Sequence, residues 1–342
     1  MSILVTGGAG YIGSHAAQRL LRDGRDVVVL DNLSRGHAAA VDRLRGLKGG
    51  TFAFVSGDIG ERALVEGVLR EHRVTDVLHF AALTYVGESM ERPLAYHRNN
   101  AASALSLIEA CDAAGVERFV FSSTAATYGE PPEQLIPIAE DCPQAPINPY
   151  GRSKLHVEDI LRDWAESRRR AGRPVAFAAL RYFNVAGCDR SGVLGEDHDP
   201  ETHLIPVVLH AILGRRDGVT VFGTDYPTPD GTCIRDYIHI EDLIDAHARV
   251  LGALKPGDAR AYNLGIGSGC SVREVIDAVR RVTGRDFVVR QGPRRAGDPP
   301  RLFADPSRIR AELGWSASIT SLDEIIATAW EWFRRHPRGY AG

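Results

Sequence analysis

The stretch VTGGAGYIGSH, residues 5–15, decides the fold expected of this chain. Its glycines at positions 7, 10 and 13 follow the apolar run SILVT and precede a helical pattern over residues 11–23. Glycines at this spacing allow a tight turn between strand and helix. They also let the backbone approach a pyrophosphate, which then lies at the helix N-terminus. The stretch therefore predicts a dinucleotide-binding βαβ unit at the start of the chain.

Short apolar runs alternate with longer amphipathic segments through the first half of the chain. The runs interpreted as buried strands are SILVT (2–6), DVVVLD (26–31), TFAFVSGD (51–58), DVLHFAA (76–82), RFVFSS (118–123) and VAFAALRYF (175–183). The helices predicted between them cover residues 11–23, 61–72, 99–115 and 150–170. This alternation is typical of a parallel sheet with helices on both faces. The predicted fold class is α/β, a Rossmann-type doubly wound parallel sheet with a second, smaller α/β domain.

The chain becomes rich in Gly, Pro and Asp after Phe183, which predicts long loops. YIHIEDL (237–243) and AYNLG (261–265) are predicted as strand material that rejoins the first sheet. SVRE (271–274) and SLDE (321–324) fit capping boxes at helix N-termini. We therefore predict a large nucleotide-binding domain and a smaller domain whose segments are partly interleaved with it.

A carboxylate at the end of the second strand favours NAD over NADP. Asp31 lies 18 positions beyond Gly13, where it can accept hydrogen bonds from ribose hydroxyls and would repel a 2′-phosphate. Arg35 lies close enough to Asp31 in the sequence that NADP stays an open alternative as the cofactor. Asp58 ends the third strand and is placed to face the adenine, although a cap at the strand end explains it almost as well.

Tyr150 and Lys154 in NPYGRSK (148–154) are one helical turn apart and so lie on one face of the predicted helix. A phenol with its ordinary pKa near 10 is a poor base at neutral pH, and lowering it by about 3 units requires about 4 kcal/mol. A neighbouring ammonium supplies part of that preference. Thr124 follows the fifth strand and offers a hydroxyl to relay the proton. The alternative to a catalytic pair is an exposed Tyr–Lys pair that has no role. The glycine loop upstream disfavours this alternative.

Composition excludes several classes of protein. The formal net charge of -3 over 342 residues implies no general attraction to nucleic acid or to anionic lipid. The five cysteines form no C-x-x-C pair and the twelve histidines form no H-E-x-x-H motif, so no metal site is predicted. The start of the chain resembles no signal peptide and no long apolar run is present, so a reduced, cytoplasmic location without membrane association is expected.

The motifs together identify a family resemblance that covers essentially the whole chain. In order, VTGGAGYIGSH, HFAALTYVGES, FSSTAATYG, NPYGRSKLHVE, LRYFNVAG, GTCIRDYIH and RRAGDPP resemble the UDP-glucose 4-epimerases of the extended short-chain dehydrogenase/reductase family. The resemblance implies reversible hydride transfer between sugar C4 and a tightly bound NAD, with Tyr150 as acid and base. A 4-keto sugar turns over in the site and receives the hydride on its other face, which inverts C4.

The resemblance also implies the domain bounds and the site residues. Residues 1–184, rejoined by about 233–265, would bind NAD, and residues 185–232 and 266–342 would bind a UDP-hexose. The implied catalytic residues are Tyr150, Lys154 and Thr124. The implied NAD contacts are Gly7, Gly10, Tyr11, Ile12, Gly13, Asp31, Asn32, Asp58, Ile59, Phe80, Ala81, Ala82, Asn99, Ser122, Tyr150, Lys154 and Tyr182. The implied substrate contacts are Thr124, Tyr150, Asn184, His203, Leu204, Thr220, Phe222, Arg235, Tyr237, Arg295, Asp298 and Leu302.

The sugar range stays open at this point. Leu302 matches the family's gate over the hexose 2-position, and its intermediate size leads to the hypothesis that UDP-GlcNAc is a secondary substrate. Epimerisation of UDP-xylose or UDP-glucuronate is an open alternative. A 4,6-dehydratase is disfavoured because Ala125 and Ala126 stand where those enzymes place an Asp-Glu pair. A non-catalytic NAD-sensing protein is disfavoured because Tyr150 and Lys154 are both present. The family resemblance further implies a homodimer built from helices such as 99–115 and 150–170.

Overall fold

The structure is a computed structural model that describes residues 2–294 and 298–341. Its strands are β1 (Ser2–Thr6), β2 (Asp26–Asp31), β3 (Phe52–Ser56), β4 (Val74–His79), β5 (Arg118–Ser122), β6 (Ala176–Tyr182), β7 (Asn184–Ala186), β8 (Val219–Phe222), β9 (Ile234–Arg235), β10 (Tyr237–His239), β11 (Ala259–Leu264), β12 (Cys270–Ser271), β13 (Val289–Gly292) and β14 (Arg301–Leu302).

Its helices are α1 (Tyr11–Arg22), α2 (Ala38–Arg45), α3 (Arg62–Glu71), α4 (Val86–Glu91), α5 (Pro93–Tyr96), α6 (Ser103–Ala114), α7 (Pro149–Arg170), α8 (Leu204–Ile212), α9 (Ile240–Ala253), α10 (Val272–Thr283), α11 (Ser307–Leu313) and α12 (Leu322–Arg335). A π-helical segment, His97–Ala102, joins α5 to α6. Among the described residues, every helix is too short or too polar to span a lipid bilayer.

The main sheet has seven strands in the order β11-β6-β5-β4-β1-β2-β3. The strands β1 to β6 pair in parallel, and Val5 of β1 lies opposite Val29 on one side and Leu78 on the other. The strand order reverses between β1 and β4, which in open α/β sheets is where dinucleotides bind. The predicted doubly wound sheet is confirmed.

Continuous apolar runs form these strands because helices cover both faces of the sheet. Ile3, Leu4 and Val5 are fully buried, and one core cluster joins Leu4 and Val77 with Leu107 of α6 and Leu161 of α7. The apolar pattern that predicts the strands therefore reflects burial on both sides.

The chain separates into two compact units. The first comprises residues 1–129, 143–181 and 244–262, and the second comprises residues 130–142, 182–243 and 263–342. In the second unit β7 pairs with β10, β8 pairs with β13, and β12, β9 and β14 form a three-stranded sheet. Its core packs α8, α10 and α12 around residues such as Leu209, Ile276 and Trp332. The assignment of NAD and UDP-sugar binding to separate domains stays a prediction.

The structure corrects part of the expected secondary structure. Only Tyr237–His239 of YIHIEDL is a strand, and it pairs with β7 and not with the main sheet. The rest is the start of α9, because Glu241 and Asp242 favour a helix N-terminus and apolar residues recur at helical spacing. AYNLG does join the main sheet as β11, and Ser271 and Glu274 form the predicted capping box. At Ser321 the hydroxyl accepts a hydrogen bond from the Glu324 backbone N–H, which is the first half of that motif.

Candidate active site

The glycine loop lies between β1 and α1, and its conformation depends on having no side chains. Gly7 has φ +70°, and a Cβ there would come within 2.6 Å of the Ala81 backbone nitrogen. A Cβ on Gly13 would come within 2.2 Å of the Gly7 carbonyl oxygen. Gly10 is the N-cap of α1, and no side chain caps this helix. The loop is therefore a backbone cradle at a helix N-terminus, a geometry that accepts a phosphate group.

Asp31, at the end of β2, is buried and already holds the glycine loop. Its two carboxylate oxygens accept hydrogen bonds from the backbone N–H of Ala9 (2.9 Å) and of Leu33 (2.8 Å). Burial raises the pKa of Asp31, and these two bonds act in the opposite direction. Each oxygen keeps a second lone pair, which fits the predicted contact with ribose hydroxyls.

Asp58 caps its own turn. Its carboxylate accepts from the Gly60 backbone N–H (2.8 Å) and from Nδ2 of Asn32 (2.7 Å). These bonds fit the capping explanation, and the role of Asp58 beside adenine stays a prediction. Most of the other residues predicted around NAD lie in the turns and helix ends that follow the strands of the main sheet, namely Tyr11, Ile12, Ile59, Phe80, Ala81 and Ala82. Tyr182 is the last residue of β6.

The start of α7 positions Tyr150. Asn148 caps the helix by accepting a hydrogen bond from the Gly151 backbone N–H at 2.8 Å, and Pro149 occupies the first turn. Tyr150 is buried, and the ring of Tyr96 meets it edge-on with centroids 6.4 Å apart. Its phenol hydrogen-bonds with the hydroxyl of Thr124.

Lys154 lies one turn further along α7 and points to the end of β5. Its Nζ donates to the backbone carbonyl oxygen of Ser122 at 2.8 Å and lies 4.9 Å from the centre of the Phe121 ring. Burial lowers the pKa of Lys154 to about 7. His79 of β4 is fully buried nearby, and burial together with the charge of Lys154 lowers its pKa to about 3, so His79 is neutral.

The protein alone does not make Tyr150 more acidic than a free phenol. Burial raises its pKa to about 12, and the hydrogen bond with Thr124 acts in the opposite direction. The sequence-based expectation that Lys154 acidifies the phenol therefore stays a prediction, which requires further positive charge beside the phenol.

Thr124 is held by a short 3₁₀ segment, Ala125–Thr127, that follows β5. Its Oγ1 accepts from the Ala126 backbone N–H at 3.2 Å, and its carbonyl accepts from the Thr127 hydroxyl at 2.9 Å. Ala125 and Ala126 supply backbone here and carry no group that can transfer a proton.

Asn100 connects three elements of the first unit, a role that the sequence did not reveal. It exchanges two hydrogen bonds with the backbone of Leu83, at 2.8 and 2.9 Å, and donates to Oγ of Ser153 at 3.0 Å. Asn99 donates to Oδ1 of Asn100 at 2.9 Å. Both asparagines lie in the π-helical segment, and such segments are frequent at functional sites. The predicted helix 99–115 therefore begins earlier and contains an irregular turn that presents Asn99 and Asn100.

A buried ion pair fixes α7 against β6, and the sequence did not reveal it. Glu158 accepts from Arg181 through Nε (3.0 Å) and Nη2 (2.6 Å), and from the Ser123 hydroxyl (2.6 Å). The side chains of Glu158 and Arg181 are 0% and 3% exposed. Glu158 is one turn beyond Lys154, so this pair sets the position of the helix that carries Tyr150. Only strand order could have revealed it, because the partners are 23 positions apart.

Apart from Thr124 and Tyr150, the predicted substrate residues that the structure describes lie in the second unit, which brings several of them together. Arg235 donates to Oδ1 of Asp298 at 2.8 Å, and β14 places Leu302 opposite Arg235. Tyr237 pairs with Asn184 between β10 and β7, and Thr220 and Phe222 both lie on the exposed face of β8. Leu204 is the first residue of α8. Arg295 lies outside the described residues.

His203, the N-cap of α8, belongs to a cluster with Glu196, His198 and Glu201. Burial opposes protonation of both imidazoles, but the adjacent carboxylates of Glu196 and Glu201 outweigh it. The pKa of His198 is raised to about 9 and that of His203 to about 10. Sequence reasoning missed the cluster because its residues lie on an irregular loop and not at helical spacing.

The family model described as the NAD dependent epimerase/dehydratase family matches residues 3–265. The UDP-glucose 4-epimerase of Lacticaseibacillus casei is 47% identical over 342 residues, with 99% of each chain covered. UDP-arabinose 4-epimerase 1 of Arabidopsis thaliana is 45% identical over 344 residues, covering 99% of this chain and 80% of the relative. The solved structure of the UDP-glucose 4-epimerase from Bifidobacterium longum in complex with NAD+ and UDP is 39% identical. It superposes with a TM-score of 0.92 over 99% of this chain and 100% of the other.

Proposed function

Because this chain belongs to the NAD dependent epimerase/dehydratase family, we propose that it is an NAD-dependent isomerase that interconverts UDP-glucose and UDP-galactose. The observation that carries the proposal is the buried pair of Tyr150 and Thr124, with Lys154 one turn away on the same helix. The glycine loop that precedes α1 belongs to the same unit of the chain.

The residues of the first unit fit NAD. A Cβ at Gly7 or Gly13 would fill the backbone cradle, and α1 presents uncapped N–H groups to a pyrophosphate. Asp31 would accept from the adenosine ribose and disfavour a 2′-phosphate. When bound, NAD supplies the acceptor and donor of the hydride at sugar C4 and a positive charge near the phenol.

Tyr150 would take the proton of the sugar 4-hydroxyl and return it at the end of the cycle. Thr124 stabilises the phenolate through its hydroxyl, and the Lys154 ammonium is held in place by the Ser122 carbonyl. Burial excludes bulk water from Tyr150 and Lys154, which limits proton exchange with solvent while the sugar is oxidised.

The second unit would hold the UDP moiety. Arg235 offers a guanidinium that matches phosphate geometry, and Asp298 offers a carboxylate for ribose hydroxyls. The ion pair between them, 2.8 Å from Nη2 of Arg235 to Oδ1 of Asp298, orients both side chains. The UDP moiety is remote from C4. Binding through UDP therefore leaves the sugar ring free to rotate between the two hydride transfers.

Two narrower substrate questions follow. The likeness to a plant UDP-arabinose 4-epimerase favours UDP-xylose and UDP-arabinose as a second candidate pair. The half-buried Leu302 supports UDP-GlcNAc as a secondary substrate, because leucine is intermediate in size among the residues associated with this gate. A 4,6-dehydratase is disfavoured, since Ala125 and Ala126 cannot move the protons that loss of water requires.

We also expect a cytoplasmic homodimer. Exposed apolar side chains are concentrated on α4 to α6, where Met90 is 61% exposed, Leu94 81% and Leu105 43%. A second copy would cover this surface. All five cysteines are free thiols, which suits a reducing compartment. The mass in solution, measured by light scattering, tests the dimer.

The decisive experiment incubates purified protein with UDP-galactose in the absence of added NAD and measures UDP-glucose. Product formation supports both the reaction and a retained cofactor. UDP-xylose and UDP-GlcNAc are assayed in parallel, and the ratio of kcat/KM values ranks the three sugars. Product that forms only when NAD is added would contradict cofactor retention, and no product in either case would contradict the epimerase.

A further inference from the structure

The loop between β7 and α8 holds two histidines and two glutamates within eight positions of the chain. One ligand atom from each of Glu196, His198, Glu201 and His203 lies within 4.8 Å of the others. The imidazoles are directed at the carboxylates. Nδ1 of His203 is 3.1 Å from an oxygen of Glu196 and 3.1 Å from one of Glu201, and Nδ1 of His198 is 3.3 and 3.4 Å from the same two side chains.

Each of the two carboxylates has one buried oxygen without a hydrogen bond, whereas the other oxygen of Glu201 accepts from the backbone N–H of Thr202 (2.7 Å) and of His203 (2.8 Å). Glu196 is 1% exposed and Glu201 is 5% exposed. Glu196 Oε1 and Glu201 Oε2 accept no hydrogen bond of acceptable geometry among the described residues. Buried carboxylate oxygens are costly unless they are hydrogen-bonded or coordinate a metal. Glu196 Oε1 lies 3.3 Å from Nδ1 of His198 and 3.1 Å from Nδ1 of His203, and Glu201 Oε2 lies 3.4 Å from Nδ1 of His198.

The spacing suits a tetrahedral metal. Ligands at 2.0–2.2 Å from a tetrahedral zinc ion are separated from one another by about 3.3–3.6 Å. The four nitrogen-to-oxygen separations, 3.1 to 3.4 Å, lie at or slightly below this range, with His198 measured to Oε2 of Glu201 and His203 to Oε1. Zinc binding would displace the ring protons of the two histidines, and two neutral imidazoles with two carboxylates then carry a charge of -2, which one divalent cation balances. Two nitrogen and two oxygen donors favour zinc over Mg²⁺ or Ca²⁺, which take oxygen ligands.

We propose that Glu196, His198, Glu201 and His203 form a structural zinc site that fastens the loop after β7 to the N-terminus of α8. Four protein ligands close the coordination sphere and leave no open position for catalysis. The loop is anchored at the same point by Nε1 of Trp332, which donates to the Glu196 carbonyl at 3.1 Å. The inference concerns metal binding and stands whether or not the chain acts on UDP-sugars, and it makes His203 a zinc ligand in place of the predicted substrate contact.

The test uses the full-length protein without a histidine tag. Zinc is measured by plasma mass spectrometry after dialysis, and affinity is measured by competition with a chromogenic chelator. We expect about one zinc ion per chain, and a loss of affinity of more than about 100-fold in His198→Ala and in Glu196→Gln. His156→Ala removes an exposed histidine whose ring stacks on His97 at 5.3 Å, and it should leave the zinc content unchanged.

A second measurement does not depend on the variants. Cobalt(II) added to the metal-free wild-type protein should give the intense visible absorption of a tetrahedral site. Glu196→Gln preserves the shape of the side chain, so its circular dichroism should match that of the wild type. Wild-type protein that binds neither zinc nor cobalt, or variants that bind zinc as tightly as the wild type, would overturn the proposal.

Discussion

Nζ of Lys154 donates a hydrogen bond to the backbone carbonyl oxygen of Ser122 over 2.8 Å, which fixes the ammonium of α7 to the last residue of β5. Burial in this position lowers the pKa of Lys154 to about 7, so the group changes charge close to neutral pH. A titrating ammonium one turn from a buried phenol is the kind of arrangement that active sites use. The predictions that follow test the groups around this contact.

Replacing Tyr150 with phenylalanine should reduce kcat by about 10²- to 10⁴-fold, because it removes the group proposed to take the sugar proton while the ring still fills its space. Tyr262→Phe is the matched control, since it removes another buried phenol, one that accepts from Arg260 on β11. Turnover and bound NAD are measured for both. Wild-type turnover in Tyr150→Phe would remove this residue from the mechanism.

Gly13→Ala should abolish retention of NAD. The added Cβ would come within 2.2 Å of the Gly7 carbonyl oxygen, so the backbone of the glycine loop would have to change its conformation. NAD is quantified in the supernatant after the purified protein is denatured. Gly67→Ala in α3 has open space around its Cβ and should retain the cofactor. Equal NAD content in the two variants would contradict the cradle.

Glu158→Ala should destabilise the protein by about 3–5 kcal/mol, because it leaves the Arg181 guanidinium buried without a carboxylate to balance its charge, although the Tyr128 hydroxyl still accepts from it at 2.9 Å. The free energy of unfolding is measured in urea. Glu166→Ala, on the same helix, removes an exposed carboxylate that pairs with Arg169 and Arg170, and it should have little effect. Similar losses of unfolding free energy in the two variants would show that the buried ion pair stabilises the protein no more than the exposed one.

The stabilisation by Glu158 should also depend on pH. Burial alone would raise the pKa of this carboxyl, but Arg181, together with Ser123 and Gln144, outweighs burial and lowers it. The contribution of the charge is therefore complete above the ordinary glutamate pKa of about 4.3 and is lost as the pH falls through the lower folded value. The difference in stability between wild type and Glu158→Gln should shrink below about pH 4.3. A difference that stays constant on acidification would argue against this assignment.

Arg235→Met should raise KM for UDP-galactose by about 10- to 100-fold, since a hydrogen bond to a charged group contributes about 1.5–3 kcal/mol. The change in kcat should be smaller, because the diphosphate is remote from C4. Arg280→Met removes a guanidinium that pairs with Asp277 and Asp286 on the surface, and it serves as the control. An unchanged KM would mean that other groups hold the phosphates.

The sequence by itself determined the features that depend on local spacing. The glycines at 7, 10 and 13 set the turn before α1, and the apolar runs set the strands of the main sheet, because both signals arise within a few neighbouring residues. The distance of one turn between Tyr150 and Lys154 likewise follows from helix geometry. The prediction of YIHIEDL as strand material was wrong for its second half. An apolar run of that length fits a short strand followed by a helix as well as it fits a strand alone.

The tertiary structure alone decided which distant groups meet. Lys154 reaches the Ser122 carbonyl and Glu158 reaches Arg181 only because β5 and β6 are neighbours in the sheet and α7 packs against them. The cluster at Glu196, His198, Glu201 and His203 depends on how an irregular loop folds back on itself, which no periodic pattern records. The shifted pKa values of Tyr150 and Lys154 come from burial, and burial is a property of the packed chain.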